Sequence, residues 1–118
     1  MFITLNGTDY TLATNLRVAY LLQQQHNHEA YSSILSRVGE MPLEHQLDLI
    51  YTAFQVANPD VAKTFTKEMF RCYIFDHEEF TASVIIKLIK GIIAGILGKD
   101  VKELEEGATS AQDGSAKN

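Results

Sequence analysis

Four histidines, one cysteine and a few adjacent acids are the side chains whose types and spacing invite a search for chemistry. His26-Asn27-His28-Glu29 comes nearest to a metal-ligand run. On a helix, residues two apart point about 200° away from each other, so His26 and His28 could not share a cation there. On a strand or turn they could share a side, but a site needs further ligands, and His45 and His77 are remote in sequence. The run reads as a solvated connection between helices. Glu78-Glu79 suggests paired carboxylates for acid–base work, yet adjacent residues diverge on a helix. Cys72 lies on an apolar stripe with no local histidine pattern, which reads as a buried thiol rather than a nucleophile. P-loop, GxGxxG, GxSxG, CxxC and HExxH patterns do not occur. No catalytic, cofactor-binding or metal-ligating residue is therefore expected, and the chain reads as a non-enzyme.

Composition sets the frame for that reading. A length of 118 residues gives one domain. The 46% hydrophobic and 21% charged residues suffice for a globular core and exclude wholesale disorder. A net charge of -5 argues against sequence-independent phosphate contacts, so no nucleic-acid partner is expected. One cysteine permits no internal disulfide and suits a reducing cytoplasm. Only 7 Gly and 2 Pro leave few long irregular loops on which to build a site. The opening MFITLNGTDY has no basic region and does not read as a signal peptide.

The elements follow from local pattern. Asn6-Gly7 is the favoured pair for a two-residue hairpin turn. It predicts a hairpin over 2–13 with Leu5 facing Thr8, Ile3 facing Tyr10 and Phe2 facing Thr11. Ile3, Leu5, Tyr10 and Leu12 then share one face, which must lie on helices of the chain or on a sheet completed by another subunit. Thr14 or Asn15 caps a helix to about Gln25, with Leu16, Ala19, Tyr20 and Leu22 near one face. Gln23 to Asn27 is polar and expected to fray. Tyr31, Ile34, Leu35 and Val38 keep helical spacing up to a stop at Gly39. Pro42 opens a helix with Leu43, Leu47, Ile50, Tyr51, Phe54 and Ala57 on its stripe, ending at Asn58-Pro59. Asp60 caps a further helix whose stripe is Val61, Phe65, Met69, Cys72 and Tyr73. Asp76 and Glu79 resemble an acidic capping box, with Phe75 and Phe80 placed as a hydrophobic staple. They predict a helix from about His77 to Leu97 or Gly98. A short helical piece over 101–106 and a disordered tail over 107–118 complete the chain. The fold class is thus mainly α with an N-terminal β-hairpin: one domain over 1–106, a compact bundle of about five helices.

The segment from Phe80 to Leu97 is the most unusual. Lys87 and Lys90 near its centre disfavour a membrane span, so no membrane partner is expected. Ser83, Lys87, Lys90 and Ala94 form one narrow polar stripe, and aliphatic residues occupy the rest of the circumference. Such a helix must be covered on most sides, by its own chain or by a partner. Gly91 and Gly95 form a small-xxx-small ridge that allows close backbone approach. Charge is uneven along the chain: residues 1–60 carry net -4, residues 61–99 net +2 and residues 100–118 net -3. Head-to-tail complementarity between subunits would use that asymmetry, but the plainer reading is that each helix solvates its outer face.

A hairpin ITLNGTDYTL, a helix soon after, a helix ending DLIYTAF (48–54), an Asn-Pro-Asp break and a long helix near VIIKLIKGI (84–92) follow one another before a polar tail. Over residues 1 to about 97 this order resembles the small tail assembly chaperones of long-tailed, siphovirus-like bacteriophages and prophages. The resemblance implies a non-enzymatic protein of the host cytoplasm, absent from the mature virion. It would bind the tape measure protein, keep that protein's hydrophobic helices soluble and help recruit tail tube protein around it. A longer frameshifted form is common among such proteins, and the 107–118 tail is a natural junction for one. A homo-oligomer is expected, with self-association or partner contacts at Phe70, Ile74, Ile85, Gly91, Ile92, Gly95 and Ile96. Phe70 and Ile74 are the better candidates for exposed contact because they lie off the 61–73 stripe. Tyr51, Phe54, Phe65, Met69 and Tyr73 would offer adaptable contacts at a groove, or ordinary core. The alternatives are a small helical oligomeric adaptor, a membrane-active small protein using residues 80–97 and a DNA-associated regulator. The helix after Pro42 has no Lys or Arg and carries Glu44 and Asp48, which repel phosphates.

Overall fold

The computed structural model describes residues 1–99. Its elements are strands β1 (Phe2–Leu5) and β2 (Thr8–Thr11), then helices α1 (Leu16–Gln25), α2 (Tyr31–Arg37), α3 (Leu43–Ala57), α4 (Pro59–Ala62), α5 (Lys67–Asp76) and α6 (Ala82–Leu97). A single 3-10 turn, Val38–Glu40, joins α2 to α3. The protein is mainly helical with an N-terminal hairpin; the predicted piece at 101–106 and the tail lie outside the described residues.

The hairpin forms in the expected register, Leu5 to Thr8, Ile3 to Tyr10 and Phe2 to Thr11. Asn6 and Gly7 take φ of 52° and 76°, which a two-residue primed turn requires. Ile3, Leu5 and Leu12 are buried and Tyr10 is half-buried. The face lies on the helices of its own chain, because Ala13 N–H donates to Ala53 O (3.0 Å) and Asn58 Nδ2 donates to Thr11 O (2.8 Å). Both partners stand at the C-terminal end of α3.

α3 is the enclosed helix. Leu47 and every residue from Leu49 to Phe54 are buried. It packs against α1, α4, α5, α6, β2 and the 3-10 turn. Phe54 gathers rings from β2, the α4–α5 connection and α5: Tyr10, Phe65 and Phe70 lie 5.4, 5.8 and 6.2 Å away between centroids. Tyr51 Oη donates to Phe65 O (2.8 Å), and Thr52 Oγ1 donates to Asp48 O (2.7 Å) while accepting from Gln25 Nε2. The two buried hydroxyls are thus satisfied.

Three expectations fail, each for a local reason. In α1 the buried face is Val18, Ala19 and Leu22, whereas Leu16 and Tyr20 point out. The predicted helix through 60–73 is broken. Thr66 caps a new helix, accepting from Met69 N–H at 3.3 Å, and this resets the phase. Phe70 and Ile74 then face the core at 0% and 5% exposure, while Met69 and Cys72 are exposed. The acidic capping box does not form, and Phe75 is exposed. α5 runs to Asp76, because His77 stacks on Tyr73 (3.7 Å) and donates from Nδ1 to Tyr73 O (2.7 Å). Thr81 caps α6 instead, accepting from Val84 N–H. Gly98 ends α6 with φ of 75°.

The phase of α5 is checked by truncation. Phe70→Ala lowers unfolding free energy by about 3–5 kcal/mol, and Met69→Ala changes it by less than about 1 kcal/mol. Denaturant titration reads both; equal losses would contradict the observed phase.

Candidate functional site

The residues expected to mediate contacts separate into two groups. Phe70, Ile74, Ile85 and Ile92 are buried within the one chain, and Ile96 is half-buried against the same core. The exposure expected of Phe70 and Ile74 is therefore corrected: both are core. Gly91 and Gly95 do permit close approach, but to their own chain. A Cβ at Gly91 would overlap the end of the Met1 side chain, and one at Gly95 would overlap Thr14. The ridge seats the N-terminal segment on α6.

α6 is not wrapped all round. Ile85, Ile89, Ile92, Ile93 and Ala94 are buried, so the predicted polar stripe loses Ala94 to the interior. Val84, Ile86 and Leu88 are half-buried and Leu97 is exposed. Among the described residues, no helix is long and apolar enough to cross a membrane.

Among the depressions at the surface of the described residues, two are lined mainly by apolar side chains of α1 and α6. One, of about 410 Å³, lies between β1 and α6, where Phe2, Ile3 and Thr4 face Phe80, Val84 and Leu88. Contacts at its two ends separate strand from helix. The N-terminal segment touches α6 at Met1 and Gly91, while the turn is held elsewhere, by Asn6 N–H donating to Tyr73 Oη (2.7 Å). The other, of about 220 Å³, lies on α1 and the start of α2, lined by Leu16, Ala19, Tyr20, Gln23 and Tyr31. Leu16 is 63% exposed and Tyr20 55%. Polar contacts orient its rim: Gln24 Nε2 donates to Tyr20 Oη (2.9 Å), and Tyr31 N–H donates to Gln23 Oε1 (3.0 Å). The sequence contained this surface as the i, i+4 pair Leu16 and Tyr20, but those residues read as part of the core face.

Polar clusters are sparse. Asp48 on α3 accepts from Arg71 Nη2 on α5 (2.6 Å), with Lys67 at 3.9 Å. Glu29 pairs with Arg37 and accepts from Ser33 Oγ (2.9 Å). The Arg37 hydrogen bond, then that from Ser33, holds the Glu29 carboxyl below its usual range. Contrary to the sequence reading, His45 is not remote from His26. The two rings lie 5.2 Å apart across α3 and the end of α1. Among the described residues, no three His, Cys, Asp or Glu side chains gather closely enough to hold a metal ion. The connection after α1 is ordered by backbone: Asn27 and His28 take φ of 56° and 61°, and His28 N–H donates to Gln23 O (2.7 Å).

Burial, then the neighbouring His45, lowers the His26 pKa from its ordinary 6.5. The folded protein therefore favours neutral His26, and the unfolded chain binds more protons below that value. Stability is full above about pH 6.5 and falls as pH drops through the lowered folded value. His26→Gln removes part of this slope in pH-dependent unfolding; an unchanged slope would show that the His26–His45 contact does not contribute.

Neither family models, curated proteins nor solved structures match the chain.

Proposed function

We propose that the protein is a non-enzymatic tail assembly chaperone of a long-tailed phage or prophage. It binds amphipathic helices of the tape measure protein, promotes tail tube assembly around them in the host cytoplasm, and leaves before the virion is complete. The observation that carries this reading is the Leu16–Tyr20–Tyr31 surface, an exposed apolar patch with aromatic side chains and oriented polar atoms at its rim. An amphipathic helix docks its apolar face into a surface of this kind, and Tyr side chains supply large contact area at low entropic cost. The order of elements from the hairpin to α6 supports the same reading through its resemblance to such chaperones. A helical adaptor with another apolar-helix partner would use the same patch. The DNA-associated alternative gains nothing, since α3 has its apolar length enclosed and offers no cationic face to a groove.

Co-expression with helical tape measure segments tests the proposal. The wild-type chain retains a segment through purification. Leu16→Ser with Tyr20→Ser weakens retention by about tenfold or more, the range of lost aromatic anchors. Met69→Ser, at an exposed position on α5, leaves it unchanged. No retention by the wild type, or equal retention by the patch variant, overturns the reading.

A further inference from the structure

We infer that the protein self-associates through the outer edge of β1, with the β1 strand of a second copy seated in the groove beside α6. This specifies the self-association expected under the proposed function, at a surface separate from the α1–α2 patch.

The edge is open because of the hairpin's phase. In a two-residue hairpin, Leu5 and Thr8 form the hydrogen-bonded pair that closes the turn, and bonded pairs alternate along the ladder. Leu12 N–H donating to Met1 O (2.9 Å) keeps that phase. The N–H and C=O groups of Phe2 and Thr4 therefore point away from β2. Asn6 is the next residue of that set, and Tyr73 already occupies its N–H. On the opposite edge, Asn58 covers Thr11 O. By the same phase Asp9 N–H and C=O and Thr11 N–H face outward on β2, where the Asp9 carboxylate guards the edge; on β1 the Phe2 and Thr4 groups are open, and the strand carries no charge.

A second copy fits this edge better than an arbitrary strand does. An antiparallel two-fold centred on Ile3 pairs Phe2 of each copy with Thr4 of the other. All four open residues then exchange hydrogen bonds through one operation. In an isologous contact each patch meets itself, so charged surface of a chain carrying -5 is repelled. Phe2, Ile3, Thr4 and Leu5 carry no charge, Glu79 at the far wall is the one acid lining the groove, and Lys, Pro and bulges, the usual guards of an edge, are absent from the strand. Phe2 is 59% exposed at the lip of the groove, and Val84 and Leu88 are only half-covered within it. The second copy covers the apolar surface that its own edge exposes. So short a strand pair buries less than the roughly 800 Å² per partner of a standard interface, which makes the association concentration-dependent.

Light scattering over a concentration series provides the test. The wild-type mass rises from 13.2 kDa toward twice that value. Thr4→Pro deletes the outward N–H and leaves the ladder to β2 untouched, since Pro is tolerated where an edge N–H faces solvent; its mass stays at one chain. Thr4→Val keeps the N–H, loses the hydroxyl bond to Asp9, and associates as the wild type does. Should Thr4→Pro fail to fold by circular dichroism, Phe2→Lys places a charge on the edge and gives the same loss. A wild type that stays monomeric, a Thr4→Pro or Phe2→Lys variant that still doubles, or a Thr4→Val variant that does not, overturns the inference. Tape measure retention reads the α1–α2 patch independently, so failure of one leaves the other standing.

Discussion

The rest of the structure depends on burying one helix. α3 carries Leu47 and an unbroken buried run from Leu49 to Phe54, and a helix apolar on that many sides needs neighbours on that many sides. α1, α5 and α6 supply three of them, and the hairpin supplies another through Tyr10 against Phe54. A two-stranded hairpin is marginal alone in water. Here the Ala13–Ala53 and Asn58–Thr11 bonds fix it to the end of α3.

Enclosing α3 leaves other surface uncovered. Each surrounding helix turns one face inward, and those helices carry more apolar residues than one face needs. α1 commits Val18 and Leu22 to the core and leaves Leu16 and Tyr20 outside. α6 commits Ile85, Ile89, Ile92 and Ile93 and leaves Val84 and Leu88 half-covered beside β1. Contiguous exposed apolar surface marks interaction sites more often than isolated apolar residues do. Both proposed docking surfaces arise in this way, as the second apolar faces of helices whose first faces cover α3.

Features written in adjacent residues were legible in the sequence. Asn6-Gly7 specified the turn and with it the register, Asn15 capped α1, and Gly98 ended α6. Features decided by a competing local signal were not. Thr66 restarts a helix inside an apparently continuous stripe, so the residues that seemed to lie off it, Phe70 and Ile74, are the buried ones. Contacts within the same stretch overrode the Asp76–Glu79 signal, because the Tyr73–His77 stack and the edge contact of Phe80 on Tyr73 hold 77–80 as a loop. The candidate site was legible only in part. The Gly91–Gly95 ridge announced close approach without naming its partner, which is the chain's own N-terminal segment. The Leu16–Tyr20 surface stayed hidden because an i, i+4 apolar pair looks the same whether it faces inward or outward. Likewise His26 and His45 are brought together only by the packing of α1 on α3.

The central claim is that the outward apolar face of α1, with the start of α2, receives a partner helix. Amide hydrogen exchange of the chain, with and without a helical tape measure segment, reads that face directly. The account predicts slowed exchange over residues 16–37 on addition of the segment, with α5 unchanged. Exchange unaltered over 16–37, or slowed only over α5, would contradict it.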